Sequence, residues 1–155
     1  GGSTLTDRAR DLLARFDRLR AGYSSVADTA EAVLDGTVVE RAGELGSVDT
    51  AAGRVRALVP PTIDAVQVTL RADTVTLHAP ADAPEADATS ARNRFAGEVT
   101  AIDRGEAVSR VTVDVGADAP LVALVTEESL RRLELTVGKD VVASFKATAT
   151  RATPR

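Results

Sequence analysis

The chain predicts a mainly β fold, with an N-terminal dimerisation helix followed by two small five-stranded β-barrels. Three observations lead there. Apolar residues recur every seven positions up to Val33, the pattern then switches to period two, and the β-patterned part is written twice. At 155 residues there is room for two small modules. Units below about 70–80 residues are marginal alone, so each gains by sharing surface with the other or with a second subunit.

The helical segment, residues 1–33, has a clean seam. Leu5, Leu12, Leu19, Val26 and Val33 are spaced by seven, and Ala9, Phe16, Tyr23 and Ala30 fall four after each of the first four. This is an a/d heptad pattern with arginine and aspartate on the outer faces. Thr4 or Thr6 can cap its start, and Asp7 suits the positive end of the helix dipole. Gly22 is the weak point, since glycine in a helix interior costs about 1 kcal/mol relative to alanine. The seam reads either as a self-association surface or as an amphipathic face packed on the chain's own β-domain.

Five short strands follow at 36–40, 47–50, 54–59, 66–71 and 74–77, separated by Arg41-Ala-Gly43, Ala51-Ala-Gly53 and the Pro60-Pro61 break. This first module spans 34–79, and residues 80–87, opening on Pro80-Ala-Asp-Ala-Pro84, form a linker. The second module, 88–155, has strands at 97–102, 109–115, 121–125, 141–146 and 149–151. Five short strands per unit suit a small, partly closed barrel of the OB type.

The two sets are an internal repeat. Gly36-Thr-Val-Val matches Gly97-Glu-Val-Thr, Arg54-Val-Arg-Ala-Leu-Val59 matches Pro120-Leu-Val-Ala-Leu-Val125, and Val68-Thr-Leu-Arg71 matches Ala143-Ser-Phe-Lys146. The second copy is longer by Thr126-Glu-Glu-Ser-Leu-Arg-Arg-Leu133, a short capped helix. Upstream, Ala88-Thr-Ser-Ala-Arg-Asn-Arg-Phe-Ala-Gly97 aligns with Ala27-Asp-Thr-Ala-Glu-Ala-Val-Leu-Asp-Gly36, which sets Glu31 where the second copy has Arg92.

Composition excludes several functions. There are no cysteines, hence no disulfide framework and no thiolate metal site, and the single histidine, His78, rules out a multi-histidine ligand set. His78 reads as a surface residue at a strand end. The net charge of −4 has no basic cluster, which argues against a nucleic-acid surface within these residues. No apolar run is long enough to span a membrane and no leader opens the chain, so a cytoplasmic protein is expected. An enzyme is not expected, because no candidate base stands in a pocket-forming context. No G-x-x-x-x-G-K-[ST] loop is present.

The chemistry concentrates in Thr89-Ser-Ala-Arg-Asn93 and in Lys146, one of two lysines in an arginine-rich chain. A tetrahedral dianion accepts hydrogen bonds only, so its site needs donors: hydroxyls, a guanidinium fork, an ammonium and backbone N–H groups. In the first copy Glu31 would repel such an ion at short range. Thr126 starts the short helix, whose first-turn N–H groups and the hydroxyls of Thr126 and Ser129 can serve the same charge. Taken alone, Thr126 is as readily an N-cap, Ser129 a surface residue and Lys146 a lysine reaching water.

These motifs, T-S-A-R-N before a β-segment and F-K-A-T at the far end, resemble the Mop/TOBE modules of molybdate- and tungstate-binding proteins. The resemblance implies Ser90, Arg92, Thr126, Ser129 and Lys146 as oxyanion ligands, with Ala91 and Asn93 serving through the loop backbone. It also implies that the ion sits where two modules meet, and that metal enters only as the molybdate or tungstate oxyanion. The N-terminal residues, Gly1 to Phe16, resemble the last wing and dimerisation helix of a winged-helix regulator. The whole layout is similar to the C-terminal part of ModE-type molybdate-responsive regulators. The implied protein is a homodimer that contacts DNA through a winged-helix domain absent from this chain, with no membrane partner. The rivals are the regulatory tail of a molybdate or tungstate transporter ATPase and a free-standing molybdate storage protein.

Overall fold

A computed structural model describes residues 31–155. The heptad seam from Leu5 to Ala30 lies outside the described residues. Val33, the last position of the expected seam, lies in a strand, β1 (Glu31–Ala42). Within it Ala32, Leu34 and Val38 are buried while Val33 is half-exposed. Period two therefore begins three residues before the expected boundary, because the inward face needs Ala32 and Leu34 rather than Val33.

β1 is followed by β2 (Leu45–Thr50), β3 (Gly53–Leu58), β4 (Ala65–Arg71) and β5 (Thr76–His78). After two single 3₁₀ turns come β6 (Asn93–Arg104), β7 (Val108–Asp114), β8 (Leu121–Thr126), the helix α1 (Glu127–Arg132), β9 (Asp140–Phe145) and β10 (Thr150–Pro154). All ten expected strands are present, as is the short helix.

Their assembly departs from the expected division into 34–79 and 88–155. β10 closes the first barrel, in the order β1-β2-β3-β10-β4, while β5 joins the second sheet, in the order β5-β9-β6-β7-β8. Each half gives its last strand to the other. Residues 76–78 pair with β9, and residues 150–154 pair antiparallel with β4. The first unit is a closed barrel and the second a five-stranded sheet, not two separate barrels. The physical reason is edge protection: the exchanged strands cover the open sides of β4 and β9, which would otherwise present unpaired backbone groups. Buried side chains from both halves, among them Val48, Val68, Val99, Val111 and Phe145, form one core.

The repeat is visible in geometry. Both long first strands carry a bulge at matching places, between Val38 and Glu40 and between Val99 and Ala101. Gly36 and Gly97 meet the same constraint. A Cβ would lie 2.5 Å from a Val48 methyl at the first and 2.6 Å from a Val113 methyl at the second, so neither site accepts a side chain.

Candidate oxyanion site

Two strands place the loop and the lysine together. β6 pairs antiparallel with β9, Asn93 opposite Phe145. Arg92 and Lys146 are the residues that adjoin this pair, one just before β6 and one just after β9. In the first copy the corresponding residues, Glu31 and Arg71, are register partners. Phe95 and Phe145 stack with centroids 5.9 Å apart and anchor this end of the strand pair. Lys146 lies one residue beyond β9 and is exposed, not inside the strand as expected. A charged head at a strand end reaches water or a ligand without desolvation.

The loop donors are partly engaged. Arg92 donates from Nη2 to the carbonyls of Ala86, at 2.7 Å, and Thr89. Arg94 donates to the Pro84 carbonyl at 2.7 Å. The Ala91 N–H donates to Thr89 Oγ1 at 3.2 Å, and Ser90 is exposed. Behind the loop is a pocket of about 60 Å³, lined among others by His78, Thr89, Arg92, Arg94 and Ser144. His78 is not the plain surface residue expected. Its Nε2 lies 2.8 Å from Ser144 Oγ, and burial, then the Arg94 charge, lower its pKa from the ordinary value.

Asn93 acts through its side chain as well as its backbone position. Buried to 1% exposure, it accepts from the Arg56 N–H at 2.7 Å and donates to the Arg56 carbonyl at 2.9 Å. The carboxamide copies a peptide group and extends the ladder of β3, binding the loop of the second half to the barrel of the first. Sequence reasoning missed this, because nothing in the order of residues says that Asn93 meets Arg56.

Thr126 and Ser129 form the other group. Thr126 Oγ1 accepts from the Ser129 N–H and donates to Ser129 Oγ, both at 3.1 Å. Thr126 is thus the N-cap of α1. The Glu127 N–H is taken by the Ala107 carbonyl, and Glu127 and Glu128 occupy the positive end of the helix. What remains available is mainly the Ser129 hydroxyl, and the Thr126 hydroxyl once it turns from Ser129 Oγ.

These groups are not together within one chain. Asn93 begins the twelve-residue β6, whereas Thr126 pairs with Val108 beside its far end, where Arg104 meets Ser109. Ser90, Ala91, Arg92, Asn93 and Lys146 share one edge, and Thr126 and Ser129 lie at the other. Among the described residues there is no cluster of His, Asp or Glu suited to a metal ion. No helix there is long and apolar enough to cross a membrane.

The TOBE domain model matches residues 89–152. The molybdenum transport protein ModE of Herbaspirillum seropedicae is 41% identical over 61 residues, covering 39% of this chain and 23% of that protein. The Azotobacter vinelandii protein of the same name is 28% identical over 149 residues, 96% of this chain and 43% of that one. The chain therefore spans less than half the length of either. The fold resembles a crystal structure of the cytoplasmic molybdate-binding protein ModG with molybdate bound. The TM-score is 0.69 at 23% identity, covering 79% of this chain and 95% of that one. A probable molybdenum-pterin-binding protein of Haemophilus influenzae is 37% identical over 60 residues, 39% of this chain and 87% of its own length. With that relative covered over 87% of its length and the TOBE domain model matching this chain from the loop through Lys146, the chain belongs to the TOBE-domain family.

Proposed function

We propose that the chain binds molybdate or tungstate as a tetrahedral dianion and serves as the effector region of a regulator. The observation behind this reading is the shared edge of Ser90, Arg92 and Lys146, where a hydroxyl, a guanidinium and an ammonium stand at adjoining strand ends. Thr126 and Ser129 complete the donor set from another module. Because they stand at the far end of β6 in the same chain, they reach this edge from a second copy. Ion binding then spans an interface, and it favours the dimer arrangement in which both halves of the site meet. On binding, Arg92 exchanges the Ala86 and Thr89 carbonyls for the oxyanion, a stronger acceptor.

The relatives' names, which refer to molybdenum, support the ligand, and the match of 96% of this chain to the Azotobacter ModE supports the ModE-type layout. A storage role draws instead on the fold likeness to ModG, 95% of which is covered. The DNA-binding domain and homodimer belong to the regulator reading.

Calorimetric titration with molybdate, tungstate, sulfate and phosphate tests it. A donor-only site rejects phosphate, which at neutral pH largely keeps a proton that needs an acceptor. Sulfate is smaller and leaves the hydrogen bonds long. Heat with molybdate and tungstate but not with sulfate or phosphate is the expected result. Equal affinity for sulfate and molybdate defeats the reading.

A further inference from the structure

Beside the proposed site one buried donor lacks a partner: Arg56 Nε is shielded from solvent and makes no hydrogen bond. Arg56 lies in the middle of β3, in the first barrel, and its position is tied to the loop by Asn93, which holds its N–H and carbonyl at 2.7 and 2.9 Å. Arg92 is the residue before Asn93. Lys146 follows Phe145, the register partner of Asn93, and the turn after it, Ala147–Ala149, packs on β3.

The repeat locates the side chain further. Arg56 matches Val122, which packs against Ala72, the residue after Arg71. The corresponding elements of this half, β3 and the turn Ala147–Ala149 that follows Lys146, also pack together. Valine meets the packing need in the other copy, so packing does not call for a guanidinium here. An arginine here adds a positive charge to a strand that the Asn93 clamp and the 147–149 turn hold beside the residues next to Arg92 and Lys146, and it leaves a buried N–H without an acceptor. Both features are unfavourable in the absence of an anion and favourable with one.

We infer that Arg56 is a further ligand of the oxyanion bound at the Ser90–Arg92 and Lys146 edge, supplied by the first module. This rests on the oxyanion reading above. The module that has Glu31 in place of the loop arginine thus contributes to its neighbour's site. Three cations around a dianion also favour doubly over singly charged tetrahedral ions.

Calorimetric titration of the full chain with tungstate, alongside Arg56→Val, Arg56→Gln and Arg56→Lys, tests this. Asn93 binds the backbone of residue 56, so these changes leave that clamp in place, and thermal unfolding without ligand checks it. The valine and glutamine variants are expected to bind at least tenfold more weakly, and the lysine variant in between. If Arg56→Val fails to fold, Arg56→Gln gives the same reading. Affinity within twofold of the unmodified chain for a folded valine or glutamine variant overturns the inference alone. No binding by the unmodified chain overturns the oxyanion reading, and this inference with it.

Discussion

Lys146 and Arg92 are the two charges that the second module brings to the proposed loop site, and their surroundings differ. Lys146 is free to turn at the end of β9, whereas Arg92 gives up two carbonyl contacts to reach an ion. Removing either charge is expected to weaken molybdate binding by about 2–4 kcal/mol, the range for charge-assisted bonds once a facing module covers these exposed side chains. Arg71, the counterpart of Lys146, is paired with Asp73 at 2.8 Å, and its replacement by alanine is expected to matter less. Titration of the three alanine variants checks the order; loss of binding on Arg71→Ala alone would assign the site to the other module. His78 adds a pH effect. Its folded pKa is depressed, so the folded state binds the proton less readily than the unfolded chain. Its stabilising contribution is present above its unfolded value of about 6.5 and is lost as pH falls through the folded value. His78→Gln is expected to flatten the fall in stability below that pH, as measured by urea unfolding.

At the scale of elements, the exchanged strands are the most consequential. β10 is five residues long, yet it completes the first barrel between β3 and β4, with Ala152 buried opposite Val68. An unpaired carboxylate there has no acceptable partner in the apolar core. Ala152→Asp is expected to destabilise the chain by about 3 kcal/mol or more, an order set by unpaired buried charge. Because the core is continuous, the loss should appear as one cooperative denaturation curve rather than two. A separate early transition of the first barrel would show that the halves unfold independently.

At the scale of the molecule, the donor set divides between two ends of one sheet, so association and ligand binding are expected to be coupled. The heptad spacing from Leu5 to Ala30 is the proposed means: as a helix, Leu12, Phe16, Leu19 and Tyr23 would share one apolar stripe. Burying one such side chain is worth about 1.5–3 kcal/mol. Light scattering at micromolar concentration is expected to show a dimer, weakened by Leu12→Asp or Phe16→Asp with the β-modules still folded. A monomer with and without molybdate would mean that the stripe packs against its own β-domain.

Local periodicity was enough to find ten strands, the capped helix at Thr126 and the repeat, because each depends on residues near in sequence. The loop 89–93 and Lys146 stood out for a different reason: an arginine and hydroxyl cluster answered by a rare lysine is a chemical pattern, and the structure sets these residues at the adjoining ends of β6 and β9. Tertiary structure alone decided which half receives each last strand, since 76–78 and 150–154 have much the same alternating character and either sheet could accept them. It also decided that Val33 belongs to a strand, that Asn93 clamps Arg56, and that Thr126 and Ser129 stand apart from the loop. Those outcomes depend on contacts between distant residues, whose energies are set by shared burial and edge pairing rather than by any local pattern.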